Sequence, residues 1–239
     1  MPRRPSAWRR LTTATRWPVG VTLTSWRYMW RTTPIHRTEE DGLMDVDAPP
    51  ALPAGVSHEE VQDVRDGAGP LFHRRYRTRI RESALTPAGL IDRVSADLDA
   101  VAPTEFASFQ KVRGEQGTMR VGDEYVVRMP GPWDGPVRVV AREPQAFRLA
   151  TLVDHLEAGQ IEFRARVGDD DTGHLVFEIE SWARSGSRVV NLLYDHLRMA
   201  KETQLHMWTS LLERVAASTG GRMTGGIDIH TRRAEVEDG

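Results

Sequence analysis

The sequence predicts an α+β fold in which a curved antiparallel sheet wraps around one long C-terminal helix, with an arm attached in front. Three observations carry this expectation. Residues 187–218 form the longest stretch without proline or glycine, and Val189, Leu193, Leu197, Ala200, Met207, Trp208, Leu211 and Val215 recur there at helical spacings. A series of short segments with alternating polarity precedes that stretch. The connections between those segments are brief and carry turn residues, which favours antiparallel hairpins over parallel crossovers.

A chain of 239 residues with 39% hydrophobic content supports one sizeable core and an appended segment. Four parts are expected: a basic arm over residues 1–37, a linker over 38–70, the folded domain over 71–221 and a C-terminal tail over 222–239. The arm holds eight arginines, no acid and four of the seven tryptophans, Trp8, Trp17, Trp26 and Trp30. Between Pro18 and Pro34, the residues Val19, Leu23, Trp26 and Trp30 share one face of a short amphipathic helix. Docking of the arm on its own domain is the first reading. Peripheral contact with a membrane surface through those tryptophans is the second, because indole and guanidinium groups suit the headgroup region. Nucleic acid is the least supported. The linker carries nine acids against the single Arg65, and its run of proline and alanine around 48–55 marks an extended or surface-hugging segment.

There is no cysteine, which excludes disulfides, a thiol nucleophile and cysteine-ligated zinc and is compatible with a reducing cytoplasm, the expected location. No run approaches the ~18 apolar residues needed to cross a bilayer.

Taken in order, residues 73–82 alternate, with Tyr76, Thr78 and Ile80 on one side and Arg75, Arg77, Arg79 and Arg81 on the other: a half-buried strand with an arginine row outside. Thr86 before Pro87 caps a helix whose face is Leu90, Ile91, Val94 and Leu98. Strands are then expected over 106–112, 124–129, 137–142, 147–153, 160–167 and 174–183. In the last, Glu178 and Glu180 alternate with Phe177 and Ile179, so if it lies beside the first strand these acids neutralise the arginine row.

The chemistry search returns little. A phosphate-binding glycine loop, an HExxH pair and a G-x-S-x-G elbow are all missing. Glu202 and His206 offer two ligands at helical spacing without a third, so neither metal nor cofactor is expected. The best polar cluster is Asp154, His155, Glu157 and Gly159 at a hairpin mouth, where His155 and Glu157 would form an acid/base pair, or else a solvated turn with Gly159 at positive φ. The loop over 130–136 presents Trp133 beside Asp134, as a lid, a partner-binding knob or a packed turn.

The phrases VGDEYVVRMPGPWDGPVRV (121–139), FRLATLVDHLEAGQIEFRAR (147–166), FEIESWARSG (177–186), AKETQLHMW (200–208) and SWRYMWRTTP (25–34) resemble a bacterial family known only as domain of unknown function 1990. That family falls within the SRPBCC superfamily of START and polyketide-cyclase proteins, whose fold is the helix grip. The resemblance implies a cavity between sheet and long helix that holds an apolar ligand, and it brings no catalytic residue. The expectation is a binding module for a lipid-like or polycyclic molecule, lined by Phe109, Val127, Val139, Phe147, Leu149, Phe163, Phe177, Leu193, Leu197 and Trp208. Trp133, Asp134, His155, Glu157, Trp182 and Arg184 are expected at its mouth. The alternatives are a cyclase- or hydrolase-like enzyme using His155 and Glu157, and an interaction or membrane-peripheral protein acting through the arm.

Overall fold

Strands that bury one face need apolar residues at every second position, and the middle of this chain supplies them in one run after another. The computed structural model of the chain describes residues 33–103, 107–128, 134–169, 173–186 and 198–236, the side chains of 198–204 excepted. In order the elements are β1 (Ile35–Asp41), α1 (Met44–Asp47), β2 (Ala68–Arg81), α2 (Pro87–Ala96), α3 (Leu98–Val101), β3 (Ser108–Arg113), β4 (Glu124–Arg128), β5 (Asp134–Glu143), β6 (Ala146–Thr151), β7 (Glu157–Val167), β8 (Leu175–Ser185), α4 (Arg198–Ser218) and β9 (Arg222–Ala234). The described strands form one nine-stranded sheet in the order β1-β9-β2-β8-β7-β6-β5-β4-β3. This is the helix-grip arrangement: a large curved sheet closed by a C-terminal helix. It departs from a wholly antiparallel sheet at one place, because β1 runs parallel to β9.

Side-chain parity divides the sheet into two faces. Tyr76 and Ile80 of β2, Val137 and Val139 of β5, Phe147 and Leu149 of β6, Phe163 of β7 and Phe177 and Ile179 of β8 join one core with Leu211, Leu212 and Val215 of α4. We call this the inner face. α2 starts where expected, with the Thr86 hydroxyl accepting from the Gly89 amide at 3.1 Å and Pro87 in the first turn. It buries Leu90, Ile91 and Val94 against the same core. The long helix is described from Arg198; its expected first part, 187–197, lies outside the described residues.

The outer face carries the arginine row, and β8 does lie beside β2. Arg75 stands opposite Glu180 and Arg77 opposite Glu178 in the register, with side-chain bonds of 2.8 and 2.9 Å respectively. Arg79 reaches Asp228 of β9 at 3.2 Å. Residues 42–66 cross this face as a strap. Arg148 donates to the Ala51 carbonyl, Gln160 to that of Pro50, and Arg138 to those of Ser57 and Glu59.

Two expected boundaries do not coincide with breaks in the fold. Pro70 lies inside β2, and the strap before it is tied to the sheet along its length. Residues 222–234, expected as a tail, form β9, which sits between β1 and β2 and contributes Ile227 and Ile229 to the core. Gly225 and Gly226, with φ of 73° and 80°, form a bulge there. A side chain at Gly226 would collide with the Pro34 carbonyl, so glycine is required for β1 to come alongside.

Candidate functional site

Of the residues expected to line a ligand site, Phe109, Val127, Val139, Phe147, Leu149, Phe163, Phe177 and Trp208 all belong to the inner-face core. Phe147 and Phe163 stack with centroids 4.7 Å apart, and Trp208 of α4 meets Phe163 edge-on at 5.9 Å. Phe163 and Phe177 are fully enclosed, whereas Phe109, Val127 and Trp208 keep 7–8% of their surface. Leu193 and Leu197 lie outside the described residues, as do Trp133 and the arm tryptophans Trp8, Trp17, Trp26 and Trp30.

The expected mouth divides in two. His155 sits in the turn between β6 and β7, and its ring fills the space beside Gly135, with Nε2 2.7 Å from where a Cβ on that glycine would stand. Gly135 pairs with Val127 and precedes Val137 by two residues, so the imidazole lies on the inner side. Glu157 shares the parity of Ile161 and Phe163. His155 Nδ1 lies 2.9 Å from the Glu157 amide nitrogen and 3.0 Å from its carbonyl oxygen. An amide can only donate, so Nδ1 accepts and the ring proton sits on Nε2. Burial pushes the imidazole pKa down against the opposing pull of Glu157, which keeps the ring neutral. That arrangement offers the interior a hydrogen-bond donor rather than a free base. Asp154 precedes it at φ 76°, and Gly159 at φ 153° passes so close to β8 that a side chain would strike the Trp182 carbonyl.

Trp182 and Arg184 are not at this mouth. They are out of step with Phe177 and Ile179 and face outward: Arg184 donates to the carbonyls of Gly69 and Val64 at 2.7 and 3.1 Å, and Trp182 packs with Val64, Leu71 and Ala234 in a separate small core. Asp134 also takes outer-face parity, one residue before Gly135. The period-two pattern already contained this assignment, since Leu175, Phe177 and Ile179 leave the even positions to the other side.

Sequence reasoning missed the most elaborate polar site. His73, read only as the start of the arginine-row strand, stacks on Trp182 at 5.2 Å and places both ring nitrogens 2.7 Å from carboxylates, Nδ1 at Asp47 of α1 and Nε2 at Glu180 of β8. Asp47 is 1% exposed and also accepts from the Leu43 amide. Burial acts to lower the His73 pKa, but the bonds to Glu180 and Asp47 outweigh it and raise it. For Glu180 burial acts upward, and His73 and Arg75 together hold its carboxyl at about 2. An imidazolium clamped between two carboxylates thus fastens the strap to the sheet. Arg232 of β9 reaches Asp47 at 3.5 Å and Glu40 of β1 at 3.7 Å, extending the network across the neighbouring strands.

Among the described residues no cluster of histidine and carboxylates has the arrangement of a metal site, and no helix is long and apolar enough to cross a membrane. A family model described as "Domain of unknown function (DUF1990)" matches residues 46–214, from α1 into α4, leaving β1 and β9 outside the matched region. No curated protein sequence matches the chain. Among solved structures, ginseng major latex-like protein 151 from Panax ginseng is 15% identical, with 62% of this chain and 98% of that one covered and a TM-score of 0.41. A norcoclaurine synthase point mutant from Thalictrum, in complex with a transition-state analogue, is 10% identical, with 63% and 98% covered and a TM-score of 0.44. A hypothetical protein from Helicobacter pylori is 8% identical, with 61% and 86% covered and a TM-score of 0.42.

Proposed function

Because the chain belongs to the DUF1990 family, whose description carries no activity, we propose its function from geometry: a non-enzymatic binding module that takes a lipid-like or polycyclic molecule between the inner face and α4. The observation that carries this is the mismatch between sheet and helices. Nine strands spaced by about 4.8 Å span nearly 40 Å, while a helix with its side chains is about 10–12 Å across. α4 makes its main approaches to β9 and β2, and α2 makes its own to β7 and β6. The inner residues of β4 and β5, Val127, Val137 and Val139, are buried although, among the described residues, neither helix is centred on them. This span is the support for reading an apolar chamber between sheet and helix, the usual form of a small-molecule site.

The acid/base alternative is weaker, since the His155 Nδ1 lone pair is engaged by the Glu157 amide. Native mass spectrometry of the full chain purified from its own host tests the binding reading: a reproducible additional mass of small-molecule size is expected. Val139→Trp, which fills the chamber from its wall, should abolish that mass while the protein stays folded. No bound mass, together with no saturable uptake of an apolar fluorescent probe, would defeat the reading.

A further inference from the structure

Among the described residues four enclosed polar atoms have no hydrogen-bond partner: Arg75 Nε, Arg128 Nε, Arg148 Nε and Gln160 Oε1. Two of them are neighbours on the outer face. Arg148 of β6 stands opposite Glu162 of β7, and Gln160 stands opposite Ala150, so Arg148 and Gln160 are diagonal neighbours with Cβ atoms about 7 Å apart. Each is 6% exposed. The same piece of the strap covers both, with Gln160 Nε2 donating to the Pro50 carbonyl at 3.1 Å and Arg148 Nη2 to the Ala51 carbonyl at 3.3 Å. Turning the Gln160 amide over would not repair the pairing, because it would set the amide oxygen against the Pro50 carbonyl.

Arg148 is also the outer-face arginine that its own carboxylates leave aside. Arg75 bonds to Glu180, Arg77 to Glu178, Arg79 to Asp228 and Arg138 to Glu124. Glu162, opposite Arg148 in the register, is turned to Arg164 instead, and among the described residues no carboxylate forms an ion pair with Arg148. The acidities differ accordingly. For Arg75 and Arg164 burial acts downward, and Glu180 and Glu162 respectively outweigh it and raise the pKa. For Arg148 burial lowers the pKa, the pull of Glu162 and Glu143 does not offset it, and Arg164 acts in the same direction as burial. A guanidinium stays charged at ordinary pH, so the strap lies over a buried cation without a counter-charge in contact.

We propose that Arg148, with Gln160 beside it, recognises a small oxyanion, a carboxylate or a phosphate, that enters beneath strap residues 48–56. Nε and Nη2 are the two arms of one fork, the edge of a guanidinium that matches two oxyanion oxygens side by side. With the strap down, one arm reaches the Ala51 carbonyl at 3.3 Å and the other has no partner. These atoms are enclosed, so the covering segment lifts to admit the anion. It is anchored at its two ends, where His73 holds Asp47 and Arg138 donates to the Glu59 carbonyl at 2.7 Å. Between those anchors, among the described residues, its hydrogen bonds to the sheet are the ones that Gln160 and Arg148 make. Lifting therefore frees the Gln160 amide to turn its N–H toward the anion. An unpaired buried donor weakens the closed state, and the oxyanion relieves it. This outer-face site is independent of the inner-face binding reading.

The test titrates the full chain at neutral pH with acetate and, separately, with inorganic phosphate, chloride keeping the ionic strength fixed, and reads the melting temperature. A saturable rise with at least one of the two anions is expected; a response to acetate alone assigns a carboxylate and to phosphate alone a phosphate. Arg148→Met should abolish the rise and should itself melt at or above the parent temperature, because hydrocarbon of similar length replaces a buried cation without a counter-charge. His73→Ala, which releases one anchor of the strap, should bind the same anion at least roughly fivefold tighter, and adding Arg148→Met should remove that gain. No saturable rise with either anion, or an equal rise in Arg148→Met, overturns the proposal and leaves the binding module standing. An affinity unchanged by His73→Ala would place the anion outside the strap and overturns it too. A clear fall in the melting temperature of Arg148→Met, or its failure to fold, would make the guanidinium a strut for the strap and would likewise overturn the proposal.

Discussion

On β2 and β8 the same strands build two unlike surfaces. Tyr76, Ile80, Phe177 and Ile179 face α4 and are closed off by hydrocarbon, while His73, Arg75, Arg77, Glu178 and Glu180, one residue out of step, face the strap and solvent. Burial is deep on both sides: Glu178 is 9% and Asp47 1% exposed. The difference is in what must be matched. An apolar wall tolerates any partner of suitable volume, including a ligand. A buried charge tolerates only its counter-charge at the right distance, because the cost of leaving it unpaired exceeds what the pair itself contributes. The inner face can therefore be an adaptable surface, and the outer face is a fixed one that holds the sheet's curvature and the strap in place.

Substitutions that remove volume from the inner face should have the largest effect. Phe163, fully enclosed between Phe147 and Trp208, leaves a cavity when cut to alanine, and Phe163→Ala should cost about 3–5 kcal/mol in urea unfolding. A loss below about 1 kcal/mol would mean that the aromatic stack borders a large void. On the other side, His73→Ala leaves Asp47 and Glu180 without their shared donor and should cost about 3 kcal/mol. The two variants differ in kind: the first should lower resistance to unfolding throughout, and the second should also expose the segment around Asp47 to proteolysis before global unfolding. If limited proteolysis finds no early cleavage in residues 42–66 of His73→Ala, the clamp is not what holds the strap.

Acidity separates the faces further, since the inner one has few titrating groups. His73 has a raised pKa in the folded protein, so its contribution is complete below the ordinary value of 6.5 and is lost as pH rises through the raised folded value. Glu180, ordinarily at 4.5 and held at about 2, contributes above 4.5 and loses that contribution as pH falls toward 2. The strap should thus be held most firmly in the mildly acidic to neutral range. Comparing urea midpoints at pH 6 and pH 9, the parent should lose more than His73→Gln does. Parallel losses in the two proteins would remove His73 from the account.

How much of this could be read in the sequence follows from the same contrast. Inner-face residues announce themselves by alternation, which is why the strands from β2 to β8 and the core residues Val139, Leu149, Phe163 and Phe177 were legible. β1 and β9 were not, because each offers too little hydrocarbon: Ile35 alone in β1, packed only partly against the core, and Ile227 and Ile229 after a double-glycine bulge in β9. An edge strand is kept charged, and Glu39, Glu40 and Asp41 made β1 look like the start of a linker. The strap was hidden for another reason. Beyond the clamp it is held by its backbone carbonyls, which accept from Arg138, Arg148 and Gln160 roughly a hundred residues away, and a carbonyl has no sequence signature. Trp182 and Arg184 were expected at the mouth although parity opposed it, and Tyr76 stood on the face it occupies.

The smallest expected effect is the one that separates charge from burial. Along the outer side of β2 the two end pairs differ most in exposure, from His73 at 13% side-chain exposure under the strap to Arg79 at 40%, whose partner Asp228 is equally exposed at 40%. If charge pairing as such stabilised this face, Arg79 and Asp228 at 3.2 Å would matter nearly as much as the clamp. If desolvation is what makes the clamp matter, the outer pair is screened by water and salt, and Arg79→Ala should cost less than about 1 kcal/mol. A double-mutant cycle with Asp228→Ala should give a coupling of a few tenths of a kcal/mol that fades in molar salt. A coupling that stays large in salt would place the pair in a shielded site and would mean that a further part of the chain covers this end of the outer face.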